Sequence, residues 1–163
     1  FWLPNLCHRL WQICGTIGAS SKIAEVRASC FTAILWSSLS DSCEISFNNQ
    51  EINLENLLKV FFATHDPTTL NRQGYDVGEH YRSIVLYSNQ FQKDISENVI
   101  QELNSTVFDG GIVTQLVPFE SFYSADVSHQ NYYANNQTAP YCSVVISPKI
   151  EKLKKHLSQF YKK

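Results

Sequence analysis

Methionine is missing from all 163 residues. The chain as given therefore excludes its own start codon, and the expectation is a fragment, a processed form or a translation begun in mid-gene. A charge excess is missing too: thirteen basic side chains face fifteen acidic ones, for a net charge of −2. Nucleic-acid binding needs clustered positive charge. The lysines of EKLKKHL and YKK read instead as a solvated helix face and a tail. No apolar run is long enough to span a bilayer, and the first residues lack the charged start and apolar run of a signal peptide. Neither a nucleic-acid nor a membrane partner is expected. The five cysteines, Cys7, Cys14, Cys30, Cys43 and Cys142, contain no C-x-x-C pair, whereas zinc takes four ligands at short paired spacings. No metal is expected either. An odd count leaves at least one thiol unpaired within the chain, and the ordinary role of such a thiol is that of a small buried apolar residue.

What is present suits a single domain over residues 1–163 with one core: 44% of the residues are apolar. The elements are legible from Cys43 onward. CEISF (43–47) alternates like a strand and NNQ is a turn. Ile52, Leu54, Leu57, Leu58, Phe61 and Phe62 then recur at helical spacing, in a helix that Pro67 forbids from continuing. SIVLYS (83–88) is nearly all apolar, as a central strand would be. A helix capped by Ser88 or Asn89 follows, with Phe91, Ile95, Val99 and Leu103 on one face. FDGG is a turn, and IVTQLVP (112–118) and CSVVIS (142–147) read as strands. Pro148 sits where a helix takes its first residue, and Ile150, Leu153, Leu157 and Phe160 form the last apolar stripe. The expected class is α+β: a two-layer α/β sandwich, helices on a sheet, with a ferredoxin-like core and long functional loops.

Two segments, 64–82 and 119–141, exceed ordinary connection lengths. Both are rich in aromatic residues, which argues for ordered, functional loops. The first contains HDPTTLNRQGYDVGEHYRS, His65 to Ser83. It has a proline, two glycines, few aliphatic residues and almost every kind of hydrogen-bonding side chain. Neither helical nor strand periodicity holds across it.

That loop resembles the signature of the peptide methionine sulfoxide reductase A family. The likeness continues through FDGGIVTQLVPFESFYSADVSHQNYY and PYCSVVISPKIEKLKK, covering Cys43 to about Lys155. The resemblance implies an enzyme of protein repair after oxidative damage, which reduces the S epimer of methionine sulfoxide. A cysteine thiolate attacks the sulfoxide sulfur and leaves as a sulfenic acid. A second cysteine condenses with it to a disulfide, which thioredoxin or another dithiol reduces from outside. No bound cofactor is implied. The implied partners are oxidised proteins or peptides, free methionine sulfoxide and thioredoxin, for a monomer in the cytoplasm. Residue by residue, the likeness makes Tyr81 a donor to the oxyanion and Asp76 a binding or network carboxylate. Cys142 takes the place of the resolving cysteine, and Phe1 and Trp2 that of the aromatic wall for the substrate methyl group. Without it, Tyr81 is a packed loop aromatic, Asp76 a turn-stabilising residue and Cys142 a buried thiol at a strand end.

The N-terminal part departs from the family pattern, G-C-F-W-x-x-E. If Phe1-Trp2 are its F-W, the nucleophile is the residue just before Phe1, a cysteine or selenocysteine, and Asn5 stands where the glutamate belongs. No tyrosine precedes Tyr75, although the family places one in an S-G-Y-x-G-G segment. Cys7, Cys14 and Cys30 lie in no matching motif. Leu3–Ser42 reads as foreign to the family, as an out-of-frame translation would be. The alternatives are a genuine chain that has lost catalysis and binds methionine-bearing peptides, and a secreted module stapled by the four cysteines before Glu44.

Overall fold

A computed structural model describes residues 23–29, 42–121, 127, 132–140 and 142–156. Phe1, Trp2, Asn5, Leu157 and Phe160 lie outside the described residues. The chain divides into two compact units, one running from Leu54 to Ser121 and the other holding the described residues on either side of it.

In the Leu54–Ser121 unit, helix α1 (Leu54–Thr64) ends three residues before Pro67, in agreement with the apolar spacing. Strand β5 (Ile84–Tyr87), helix α2 (Gln90–Thr106) and strand β6 (Gln115–Pro118) form a strand–helix–strand unit. β5 and β6 are parallel, in register from Ile84↔Gln115 to Tyr87↔Pro118, so a crossover helix is required between them. Among the described residues β5 has this one neighbour, where a central position was expected. β6 is also shorter than IVTQLVP: Ile112 to Thr114 precede the pairing.

Asn89 caps α2, its side chain accepting from the Gln92 amide at 2.9 Å. Leu58 and Phe62 of α1 meet Val99 of α2 in the core, with Ile95, Leu103, Val85 and Ile112 packed around them. Each fully buried side chain of this kind contributes about 1.5–3 kcal/mol. Phe91, in the first turn of α2, does not join that stripe and is 70% exposed. Ser96 is buried, and its hydroxyl donates to the Gln92 carbonyl at 2.8 Å, which satisfies it within the helix. At the helix exit the FDGG turn takes Asp109 and Gly110 to positive φ. The Asn104 side chain accepts from the Ile112 amide at 2.9 Å, directing the chain toward β6.

In the other unit, β1 (Ile23–Ser29) and β2 (Ser42–Phe47) pair antiparallel, with Val26 opposite Ile45 and Ala28 opposite Cys43. β2 matches the expectation from CEISF. β1 lies within a segment read as lacking a pattern. Its signal is the alternation of Ala24, Val26 and Ala28 with Glu25, Arg27 and Ser29. Cys43 is disulfide-bonded. A short helix α3 (Tyr132–Asn135) interrupts the second long loop.

CSVVIS is not a strand. Cys142–Ile146 is a π-helical turn that runs directly into helix α4 (Ser147–His156), placing Pro148 second in the helix rather than first. The reason is spacing: Cys142, Ile146 and Ile150 stand four apart and form one buried cluster with Tyr133 and Ala139. A helical stripe buries all three and leaves Val144 73% exposed, whereas a strand would put Val144 on the same face as Cys142 and Ile146.

Candidate active site

The polar loop is a built structure rather than an extended connection. Its opening is an Asx turn. The Asp66 carboxylate accepts from the Thr68 amide at 2.9 Å and from the Thr68 hydroxyl at 2.6 Å. These two bonds hold the Asp66 carboxyl below its ordinary value, aided by the positive charge of Arg72. Gln73 reaches back across the loop: its carbonyl accepts from the Asp66 amide and its amide nitrogen donates to the Asp66 carbonyl, both at 3.1 Å.

The middle of the loop is a small hairpin. Strands β3 (Arg72–Gln73) and β4 (Asp76–Val77) pair around Gly74 and Tyr75. Gly74 has φ +62°, the backbone that a first central residue of this tight turn requires. Tyr75 at the tip is 93% exposed. The Gly78 amide donates to the Asn71 carbonyl at 2.9 Å. A 3-10 turn, Glu79–Tyr81, follows, and its close is held by the Tyr81 amide on Gly78 and the Arg82 amide on Glu79.

Gly78 sits at φ +149° and ψ 157°, a region that only glycine occupies without strain. A Cβ here would stand 3.5 Å from Cδ2 of Tyr81, so the tyrosine ring packs against the bare glycine backbone. Asp76 and Tyr81 are both half-buried and lie on either side of this glycine. Both residues named from the resemblance lie in this loop, and no contact between them is described. Cys142 belongs to the other unit, where it is fully buried and free. Burial raises its thiol pKa, so the resting form is protonated.

Sequence reasoning passed over His65, Ser83 and Thr114. Ser83 is buried at the loop's end, and its hydroxyl lies 2.8 Å from His65 Nε2 and 2.7 Å from the Thr114 hydroxyl. The signal available was positional: a histidine closing a helix and a serine directly before an apolar strand. Among the described residues no group of three or more His, Cys, Asp or Glu side chains could hold a metal ion.

Two outcomes follow from this geometry. Gly78→Ala should cost about 1–3 kcal/mol in urea unfolding, because an L-residue is strained at that backbone conformation. An unchanged midpoint would contradict the conformation described. Asp66→Asn should lose at most about 1 kcal/mol at neutral pH, the site being exposed. The folded carboxyl titrates below its unfolded value of 3.8. Its contribution is therefore complete above that value and lost as the pH falls through the folded one. The difference between variant and parent should vanish in acid, and a difference independent of pH would rule out the charge as its source.

The family model for peptide methionine sulfoxide reductase matches residues 36–161. A relative from Trichodesmium erythraeum, "Peptide methionine sulfoxide reductase MsrA", is 43% identical over 143 residues, which are 87% of this chain and 79% of that protein. The protein of the same name from Acinetobacter baumannii (strain AYE) is 50% identical over 109 residues, 67% of this chain. Of that relative's own length the chain spans only 62%. Among solved structures, Mxr1 from Saccharomyces cerevisiae in reduced form superposes with a TM-score of 0.65 at 23% identity, covering 83% of both chains. Methionine sulfoxide reductase A of Corynebacterium diphtheriae does so with a TM-score of 0.61 at 19% identity, over 74% of this chain and 70% of that one. These two likenesses carry the fold, a mixed arrangement of helices and strands. With the family model spanning most of its length and curated relatives this similar, the chain belongs to the peptide methionine sulfoxide reductase family.

Proposed function

We propose that the protein reduces the S epimer of methionine sulfoxide, in peptides and as the free amino acid, and so repairs oxidised proteins. The observation that carries the reading is the loop His65–Ser83. It holds Asp76 and Tyr81 half-buried around a glycine that keeps the tyrosine ring close to the backbone. Such a phenol is suited to donate to an oxygen that gains negative charge.

A cysteine or selenocysteine nucleophile attacks the sulfoxide sulfur, and the oxygen passes to it as a sulfenic or selenenic acid while methionine leaves. Tyr81 supplies a hydrogen bond to that oxygen, Asp76 holds the surrounding network, and Phe1 and Trp2 wall the substrate methyl group. The Cys142 thiol then attacks the oxidised nucleophile, water departs and a disulfide or selenenylsulfide forms. Thioredoxin or another dithiol reduces it by exchange and becomes a disulfide itself. Cys142 must be exposed for its step. It lies in a π-helical turn, a feature that is rare and frequent at functional sites. The fold that serves this chemistry is, in this reading, a two-layer sandwich with a ferredoxin-like core.

The test is methionine formation, by a full-length counterpart that carries the nucleophile, from a peptide carrying either sulfoxide epimer. With thioredoxin as reductant the S epimer should turn over repeatedly and the R epimer should not. Cys142→Ser should give one methionine per protein molecule and then stop, with a dimedone-reactive sulfenic acid retained where the nucleophile is cysteine. Repeated turnover of that variant with thioredoxin would sink the resolving role. Binding of the sulfoxide peptide with no methionine formed would leave a peptide-binding domain as the function.

A further inference from the structure

The strongest unassigned feature is the hydrogen-bond chain that closes the polar loop. His65 Nδ1 lies 2.7 Å from the Phe61 carbonyl oxygen. A carbonyl only accepts, so Nδ1 carries the proton. In the neutral ring Nε2 is then an acceptor, and it takes the Ser83 hydroxyl proton across 2.8 Å. Ser83 Oγ in turn accepts from the Thr114 hydroxyl at 2.7 Å. The imidazole plane is fixed as well, its ring centroid 4.0 Å from that of Phe61 and 5.7 Å from that of Phe62.

These three residues come from three different places. His65 follows the last turn of α1, Ser83 ends the loop and Thr114 directly precedes β6. Ser83 also accepts at its carbonyl from the Gln115 amide at 3.0 Å. The loop is thereby pinned at both ends, to helix and to sheet. Tyr81 stands two residues before Ser83, at the close of a 3-10 turn secured by two amide bonds. Little else that is buried lies in the loop: Pro67 and Ser83 are its buried residues.

We propose that His65, Ser83 and Thr114 are positioning residues for Tyr81. Their hydrogen-bond chain fixes the C-terminal anchor of the 3-10 turn and hence the point in space where the Tyr81 hydroxyl meets the sulfoxide oxygen. This rests on the reductase reading above. A displacement of about 1 Å in a group that stabilises a transition state can cost orders of magnitude in rate while leaving ground-state binding nearly intact.

The experiment compares Ser83→Ala and Thr114→Val, each alone and combined with Tyr81→Phe, with Ser83→Thr as the conservative rescue. Two readouts are taken on the full chain: hydrogen exchange at the Tyr81 and Arg82 amides, and the kinetics of S-sulfoxide reduction. Exchange at those two amides should accelerate roughly tenfold or more in Ser83→Ala, while α1 amides stay unchanged. The value of kcat should fall roughly tenfold with KM nearly constant, and Ser83→Thr should restore most of it. In the Tyr81→Phe background Ser83→Ala should add little, since both changes act through one group. Thr114→Val is nearly isosteric and keeps the test open if Ser83→Ala folds poorly. Unchanged exchange at Tyr81 and Arg82, or rate losses that add in full, would overturn the inference. A Tyr81→Phe variant with the parent's rate would remove Tyr81 from the chemistry, and the inference with it. Absence of turnover in the parent would instead sink the reductase reading, and the exchange data would still decide whether the chain holds the turn.

Discussion

The structure depends most on how a long polar segment is held without a core of its own. His65–Ser83 contains two short strands and a 3-10 turn, none of which would be stable alone. Its order comes from hydrogen bonds to the elements that flank it: His65 to Phe61 and Ser83, Ser83 to Thr114, and the Val113 amide to the Pro67 carbonyl at 2.9 Å. These bonds transfer the rigidity of the α1–α2 core to the loop. A site built this way can present half-buried polar side chains, Asp76 and Tyr81, at defined positions. Catalysis by preorganised donors requires that.

The two cysteines that the structure describes have different fates. Cys43 is tied up in a disulfide. Cys142 is free but buried among Ile146, Ile150, Tyr133 and Ala139, with its pKa raised by the loss of solvent. A protonated, enclosed thiol is a poor nucleophile. The resolving role proposed for it therefore requires that the thiol first become exposed. It lies in a π-helical turn that runs directly into helix α4.

Regular elements were legible where one periodicity dominated. The α1 stripe, the Asn89 cap, the FDGG turn and the order strand–helix–strand could all be read from side-chain spacing. Two failures have physical causes. In CSVVIS the apolar run is too short to separate strand from helix, and the decisive partner, Ile150, lies beyond it. In IAEVRAS the alternating residues include alanines, whose small apolar surface gives a weak signal beside the Glu25 and Arg27 charges. Tyr81 and Asp76 were named as site residues by resemblance alone. The His65–Ser83–Thr114 chain joins residues up to 31 positions apart through single hydroxyls, and no local pattern records such a contact.

The central claim is that the loop His65–Ser83 is where methionine sulfoxide binds. An amide-resolved NMR titration with a short peptide carrying the S-sulfoxide tests it most directly. The account predicts saturable shifts centred on Asp76–Arg82, with the α1 and α2 amides nearly still and a weaker response to the R epimer. Shifts confined to other parts of the chain, or equal responses to both epimers, would contradict it.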